Sequence, residues 1–200
     1  MSGLNAVHDT CSCGNNLLIS SPRANSSTVG GAGIYLLDNS FSISKINSYY
    51  VSKIVALNNG NNALAITDHN KFSSSAAVTL YYSTNGGKSW ATSTNPTTLN
   101  SYPDIQSNGS IFALTNNGVV YTSTNGASWT STGYTCKNRC HVISGDPYSG
   151  YFYDFECVTS TNSTGRVSYF VSVYRSTDCK TWTKIHNSIA TGVATNGGSS

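Results

Sequence analysis

One short segment recurs three times in this chain. It reads Tyr81-Tyr82-Ser83-Thr84-Asn85-Gly86-Gly87-Lys88-Ser89-Trp90, then Tyr121-Thr122-Ser123-Thr124-Asn125-Gly126-Ala127-Ser128-Trp129, then Tyr174-Arg175-Ser176-Thr177-Asp178-Cys179-Lys180-Thr181-Trp182. All three tryptophans of the protein close a copy of it. Self-similarity at intervals of roughly 40–50 residues marks a propeller or solenoid, whose units bury their apolar faces only against neighbours. The chemistry of the segment is that of a tight turn. Asn or Asp folds its side chain onto the backbone that follows, and Gly supplies positive φ without steric cost. Ser83, Ser123 and Ser176 hydrogen-bond the same turn. Each Trp then packs between neighbouring sheets and donates its N–H to a nearby oxygen.

Strands fall into place around these turns. Apolar and β-branched runs at 50–57, 63–67, 78–83, 105, 111–114, 119–123, 141–144, 151–158 and 167–176 alternate with turn signals such as Asn58-Asn59-Gly60 and Asn116-Asn117-Gly118. A degenerate first unit has strands at 17–20 and 34–37, with Asp38 at the acid position and Ile43 in place of Trp. No segment has helical periodicity. The expected fold is all-β: a small propeller of about four four-stranded blades over 4–47, 48–95, 100–133 and 138–187. It is either a closed ring or an arc completed by oligomerisation. The tail 188–200 is expected to add a closing strand or stay flexible.

The repeated segment resembles the Asp-box, or BNR repeat, of the sialidase-like β-propeller superfamily. The family pattern is Ser/Thr-x-Asp-x-Gly-x-Thr/Ser-Trp. Here Asn85 and Asn125 replace the acid, the second copy is one residue shorter, and Cys179 stands where Gly is usual. The resemblance implies that Ser83, Asn85, Gly87, Trp90, Ser123, Asn125, Trp129, Ser176, Asp178 and Trp182 are scaffold. It places ligands on the opposite face of the propeller, among the second-to-third strand loops and the blade connections. That face gathers Arg23, Arg139, Arg166, Asp68, His69, Lys71, Tyr102 and Tyr134. In sialidases three Arg bind the substrate carboxylate, an Asp is the acid/base and a Tyr–Glu pair is the nucleophile. By that resemblance an enzyme would use Arg23, Arg139, Arg166, Asp68 and Glu156, the one glutamate of the chain. Sialidases have six blades, and their Arg-Ile-Pro motif is missing. The acids are also few for a glycosidase.

Non-catalytic binding is therefore the expected role, with Tyr102, Tyr134, Arg139, Arg23, Arg166 and His69 as ligand-binding candidates. Tyr49, Tyr50 and Tyr148 offer further aromatic faces for sugars, beside adaptable Asn and Ser. Expected partners are a glycan or cell-surface polysaccharide, or further copies of the protein in a larger assembly. The rival readings are a sialidase-like glycoside hydrolase and a purely structural tail-fibre or capsid-decoration domain.

Composition bears on the setting. Charged residues are 10% of the chain and the net charge is +3, with no Lys/Arg stripe, so nucleic acid is not an expected partner. No run approaches a membrane-spanning helix of ~20 apolar residues, and residues 1–10 lack the apolar core of a signal peptide. Six cysteines in a chain of extracellular character favour disulfides among Cys11, Cys13, Cys136, Cys140, Cys157 and Cys179. A bridge from Cys179 to Cys11 or Cys13 would staple a closed ring. The Cys-x-Cys and Cys-x-x-x-Cys-His spacings do not favour a metal site, and no cofactor motif occurs. Sequons stand at Asn25, Asn108 and Asn162. The chain is expected to act outside a cell or on a virion surface.

Overall fold

The computed structural model describes residues 7–21, 32–67, 78–99, 103–137, 143–163 and 167–194, with side chains as far as 186 in the last segment. Within them the chain is all-β, in four antiparallel sheets of four strands. Each sheet is a meander of consecutive strands. The first contains β1 (Asp9–Cys13), β2 (Asn16–Ser21), β3 (Gly33–Leu37) and β4 (Ile43–Asn47). The second contains β5 (Val51–Ala56), β6 (Ala63–Thr67), β7 (Leu80–Ser83) and β8 (Ala91–Thr92). The third contains β9 (Asp104–Ser107), β10 (Phe112–Asn116), β11 (Val119–Ser123) and β12 (Thr130–Thr135). The fourth contains β13 (Ser144–Asp146), β14 (Tyr151–Thr161), β15 (Val167–Ser176) and β16 (Thr183–Ala194). No described helix is long and apolar enough to cross a membrane.

β6, β11 and β15 begin and end where the sequence pattern places them. Others differ: β13 is Ser144–Asp146 where 141–144 is expected, β14 runs on to Thr161 past the expected end at 158, and the two ends of the chain depart further. β1 is a strand despite its polar run, because Asp9, Thr10 and Ser12 line an open groove while Cys13 is buried. Residues 188–194 continue β16 alongside β15, so they form no closing strand, and the boundary expected at 187 falls inside an element.

The repeated turns work through their side chains. In the first copy Ser83 Oγ accepts the Gly87 N–H at 3.0 Å, Asn85 Oδ1 accepts the Ser89 N–H at 3.0 Å, and Trp90 Nε1 donates to the Gly87 carbonyl at 2.9 Å. In the second, Ser123 Oγ accepts from Gly126 N and Trp129 Nε1 donates to Ser93 Oγ. In the third, Asp178 Oδ1 accepts from Lys180 N and Thr181 N, and Trp182 Nε1 donates to the Cys179 carbonyl. Cys179 adopts φ 58°, a left-handed geometry that glycine takes more readily. The degenerate turn keeps the acid's role: Asp38 Oδ1 accepts from Ser40 N and Ser42 N.

Three buried clusters join the sheets in chain order. Leu18, Ile34 and Leu36 of the first sheet meet Ile54, Ala63 and Ala65 of the second. Leu64, Ile66 and Leu80 of the second meet Ile105, Phe112 and Leu114 of the third. Ala113 and Val120 of the third meet Phe152 and Cys179 of the fourth. Side chains alternate across a strand, so β6 sends Ala63 and Ala65 to one junction and Leu64 and Ile66 to the next.

The same two devices seal every junction. Each Trp packs back onto the preceding sheet: Trp90 against the first cluster, Trp129 against the second, Trp182 against the third. Each junction also has an Asn bridge from the first turn of one sheet to the Trp-bearing turn of the next. Asn16 Nδ2 donates to the Gly86 carbonyl at 3.0 Å, Asn62 Nδ2 to Thr124 at 3.1 Å, and Asn108 Nδ2 to Thr177 at 3.0 Å. Gly87 shows how close this approach is, since a Cβ there would lie 2.2 Å from Leu18 Cδ2.

A linear run of four sheets has three junctions, and a closed ring of four has four. Among the described residues no buried cluster joins the fourth sheet to the first. The first sheet carries exposed Ile43 at the Trp position, and the first turn of the fourth sheet (147–150) has no Asn. Of the two expected arrangements, a closed ring or an arc, no closure of a ring is detected among the described residues. The expected Cys179 staple fails for the same reason, because Cys13 lies in the first cluster and Cys179 in the third. Cys11, Cys13, Cys136, Cys157 and Cys179 are free thiols, and Cys140 lies outside the described residues. Asn108 is no glycan acceptor in the folded chain, because its buried amide also donates to the Gly150 carbonyl at 2.9 Å.

Candidate functional site

The third junction differs from the other two in being polar at one end. Tyr134, near the end of β12, stacks on Trp182 with ring centroids 4.6 Å apart. Its hydroxyl donates to Asp154 Oδ2 at 2.7 Å, and Lys137 N donates to the same oxygen at 2.8 Å. Phe155 N donates to Asp154 Oδ1 at 2.8 Å. Asp154 is fully buried. A buried carboxylate persists only with such partners, and here it ties the β12–β13 connection to β14.

Two residues further along β14, on the same face, Glu156 Oε2 accepts the Tyr174 hydroxyl at 2.5 Å. Tyr174 is the cross-strand partner of Asp154. Lys137 Nζ lies 4.9 Å from the centre of the Tyr174 ring, and Lys184 Nζ lies 5.8 Å from it. Among the described residues Glu156 Oε1 has no hydrogen-bond partner. The result is a half-exposed ledge that offers a phenol, one open carboxylate oxygen and two ammonium groups.

The electrostatics follow from this arrangement. Burial, reinforced by the Asp154 hydrogen bond, pushes the Tyr134 phenol well above its ordinary value. The hydrogen bond to Glu156 raises Tyr174, so it stays a neutral donor at physiological pH. Burial pushes Cys136 up from 9.0 to about 12, and raises Cys11 and Cys179 further. The native state therefore keeps protons that unfolded thiols lose near pH 9. Stability is full below that pH and falls as the pH rises above it. Urea midpoints measured from pH 8 to 11 should decline steadily above 9; a flat profile contradicts the burial of these thiols.

A second concavity, of about 370 Å³, lies where the innermost strands of all four sheets converge, with Thr10, Lys53, Gln106 and Gly145 in its wall. The polar groups there bond to one another. Asp9 Oδ2 accepts the Ile54 N–H at 2.8 Å, Lys53 Nζ pairs with Asp104 at 2.8 Å, and Gln106 Nε2 donates to Asp104 Oδ2 at 2.7 Å. These contacts brace the inner strands and leave the groove few open polar groups.

Of the residues expected at a site, the structure brings Tyr134 and Glu156 to one junction. Arg23, Arg139, Arg166, Asp68, His69, Lys71 and Tyr102 lie outside the described residues. Tyr49 stacks on Tyr81 at 4.0 Å, and Tyr148 is fully exposed on the β13–β14 turn, at the end of the sheets that carries the Trp turns. Asp154, Tyr174, Lys137 and Lys184 were missed by sequence reasoning. A signal existed in Asp154-x-Glu156, two acids at strand period on an otherwise acid-poor chain.

Four twisted meanders strung together by buried faces define a propeller-like all-β protein. The sequence matches no family model and no curated protein. Solved structures share the fold. The chain is similar to the GH74 enzyme of Niastella koreensis, with a TM-score of 0.54 and 16% identity over 92% of this chain and 30% of that one. It is similar to the GH74 xyloglucanase of Xanthomonas campestris, with a TM-score of 0.55 and 12% identity over 94% of this chain and 31% of that one. It is also similar to YCF48 bound to D1 peptide, with a TM-score of 0.50 and 13% identity over 95% of this chain and 70% of that one. These are β-propeller proteins. The chain spans less than a third of the length of the two GH74 enzymes.

Proposed function

We propose that the chain is a non-catalytic β-propeller module of the Asp-box type, acting outside a cell or on a virion surface, that binds a glycan on the Tyr174–Glu156 ledge. The three turns support the Asp-box reading, since hydroxyl, carboxamide or carboxylate, and indole each fill the role that pattern requires. The observation that carries the binding reading is Glu156, held by Tyr174 with one oxygen open among the described residues, beside a ring that Lys137 and Lys184 approach. An aromatic ring with acceptor and donors around it suits the C–H faces and hydroxyls of a sugar. Binding without hydrolysis is supported by Asp154, whose oxygens are taken up by Tyr134, Lys137 and Phe155, so that among the described residues no second carboxyl is open beside Glu156. A glycan array should give a signal with the wild-type chain that drops at least tenfold in Tyr174→Ala and Glu156→Gln. An array silent with folded protein removes the proposal.

One contact favours a second reading, a sialidase-like glycosidase: Tyr174 and Glu156 form a Tyr–Glu pair of the kind that superfamily uses as nucleophile. Hydrolysis of a fluorogenic sialoside, abolished by Glu156→Gln, would replace the binding reading with this one.

A further inference from the structure

We propose that Asn59, in the turn between β5 and β6, is a site of spontaneous deamidation, while the Asn-Gly pairs of the Trp-bearing turns and of Asn108 are held as amides by the fold. Asn precedes Gly at Asn59, Asn85, Asn108, Asn117, Asn125 and Asn196. In such a pair the Gly amide nitrogen attacks Cγ of the Asn side chain. A Cγ–N bond forms, the Cγ–Nδ2 bond breaks, and Nδ2 leaves as ammonia with the proton of the Gly amide. Water then opens the cyclic imide at one carbonyl or the other, leaving aspartate or an isoaspartyl link. Water is consumed, ammonia is released, and nothing is oxidised or reduced. Gly favours the step because no Cβ crowds the ring. The step requires the Gly N–H to leave its acceptor and Nδ2 to depart.

Four of the pairs lie at the end of the sheets that carries the Trp turns, and their hydrogen bonds sort them. Beside Asn85, the Gly86 N–H donates to the Asn61 carbonyl at 2.9 Å, and Asn85 Nδ2 donates to Ser89 Oγ at 2.8 Å. Asn108 is buried; the Gly109 N–H donates to Ser107 Oγ at 2.9 Å, and Nδ2 donates to the Gly150 and Thr177 carbonyls. Beside Asn125, the Gly126 N–H donates to the buried Ser123 Oγ at 2.8 Å. Asn59 is exposed, and its Nδ2 has no acceptor among the described residues. The Gly60 N–H reaches the Leu57 carbonyl at 3.4 Å, longer than the ~2.9 Å usual for such a bond. Asn59 Oδ1 accepts the Asn61 and Asn62 N–H groups at 3.0 Å each, which draws electrons from Cγ and favours attack there. Asn117 lies in the β10–β11 turn at the other end of its sheet, and Asn196 lies outside the described residues.

The Asn59 turn serves two junctions. The Asn61 carbonyl holds the Gly86 peptide that receives the Asn16 bridge, and Asn62 makes the bridge to Thr124. The turn is also packed tightly, since a Cβ on Gly14 would lie 2.8 Å from the Gly60 carbonyl oxygen. An isoaspartyl link adds a backbone carbon there and moves Oδ1 away from Asn61 and Asn62, so the first and second junctions loosen together.

Peptide mapping of the full chain, aged folded in mildly alkaline buffer, tests this by counting aspartate and isoaspartate at each pair. Asn59 should convert at least tenfold faster than Asn85, Asn108 and Asn125. In urea the four should convert at similar rates, because the ranking comes from the fold. The aged protein should also unfold at lower urea than fresh protein, and Asn59→Ser, which cannot form the imide, should lose most of that shift. If the serine variant fails to fold, the mapping of wild-type protein decides. An unconverted Asn59, conversion of Asn85 or Asn125 at the same rate, or a ranking that persists in urea overturns the proposal.

Discussion

Trp129→Ala should destabilise the protein by about 3 kcal/mol, whereas Ile43→Ala should cost less than about 1 kcal/mol. The two positions are equivalent in the repeat, and the difference measures what a junction contributes. The Trp129 ring packs on the cluster of Leu64, Ile66, Phe112 and Leu114, and its N–H donates to Ser93 Oγ at 2.9 Å. Truncation opens a cavity between two sheets and removes a partner from a buried hydroxyl. Ile43 is 40% exposed and belongs to none of the buried clusters among the described residues. Urea denaturation of both variants checks the contrast. Similar losses at the two positions would mean that the first sheet packs against something on its far side as well.

Asp154→Ala should cost about 3 kcal/mol or more and lower the melting midpoint by on the order of 10 °C. The charge that disappears matters less than the donors left behind. The Tyr134 hydroxyl and the N–H groups of Lys137 and Phe155 all point at this carboxylate, inside a buried site. Leaving them without an acceptor costs their full desolvation. Tyr134→Phe removes one donor together with its need, so its loss should be near 1 kcal/mol. Differential scanning calorimetry of the two variants separates a structural carboxylate from a solvated one, for which both losses would be small.

Much of the scaffold is legible in the sequence because it is written in local chemistry. Ser, Asn or Asp, and Trp at fixed spacing specify a turn whose hydrogen bonds close within a few residues, as at Ser83–Trp90. Strand ends at β6 and β11 follow from apolar runs bounded by Asn and Gly. The junctions are less legible. Asn16, Asn62 and Asn108 look like ordinary turn residues, and their partners Gly86, Thr124 and Thr177 lie a whole sheet further along the chain. β1 is missed because a strand bordering a groove has polar residues where alternation leads one to expect apolar ones. The candidate site is harder still. Tyr134 and Glu156 are visible as chemistry-bearing residues, but only the β14–β15 register places Tyr174 against Glu156 and opposite Asp154. The sequence leaves a closed ring and an arc both open. It holds a signal against closure, three Trp for four units, which makes sense once each Trp is seen to face backwards.

The central claim is that the four sheets run in series through three buried junctions, with no buried cluster joining the fourth to the first among the described residues. A double-mutant cycle between Tyr35→Ala, on the face of the first sheet turned away from the second, and Val173→Ala, on the face of the fourth turned away from the third, tests it directly. The account predicts additive losses, with coupling within about 0.5 kcal/mol, while Leu64→Ala and Phe112→Ala across the second junction should couple by about 1 kcal/mol or more. Coupling of about 1 kcal/mol or more between Tyr35 and Val173 would show the two end faces in contact and contradict the open series.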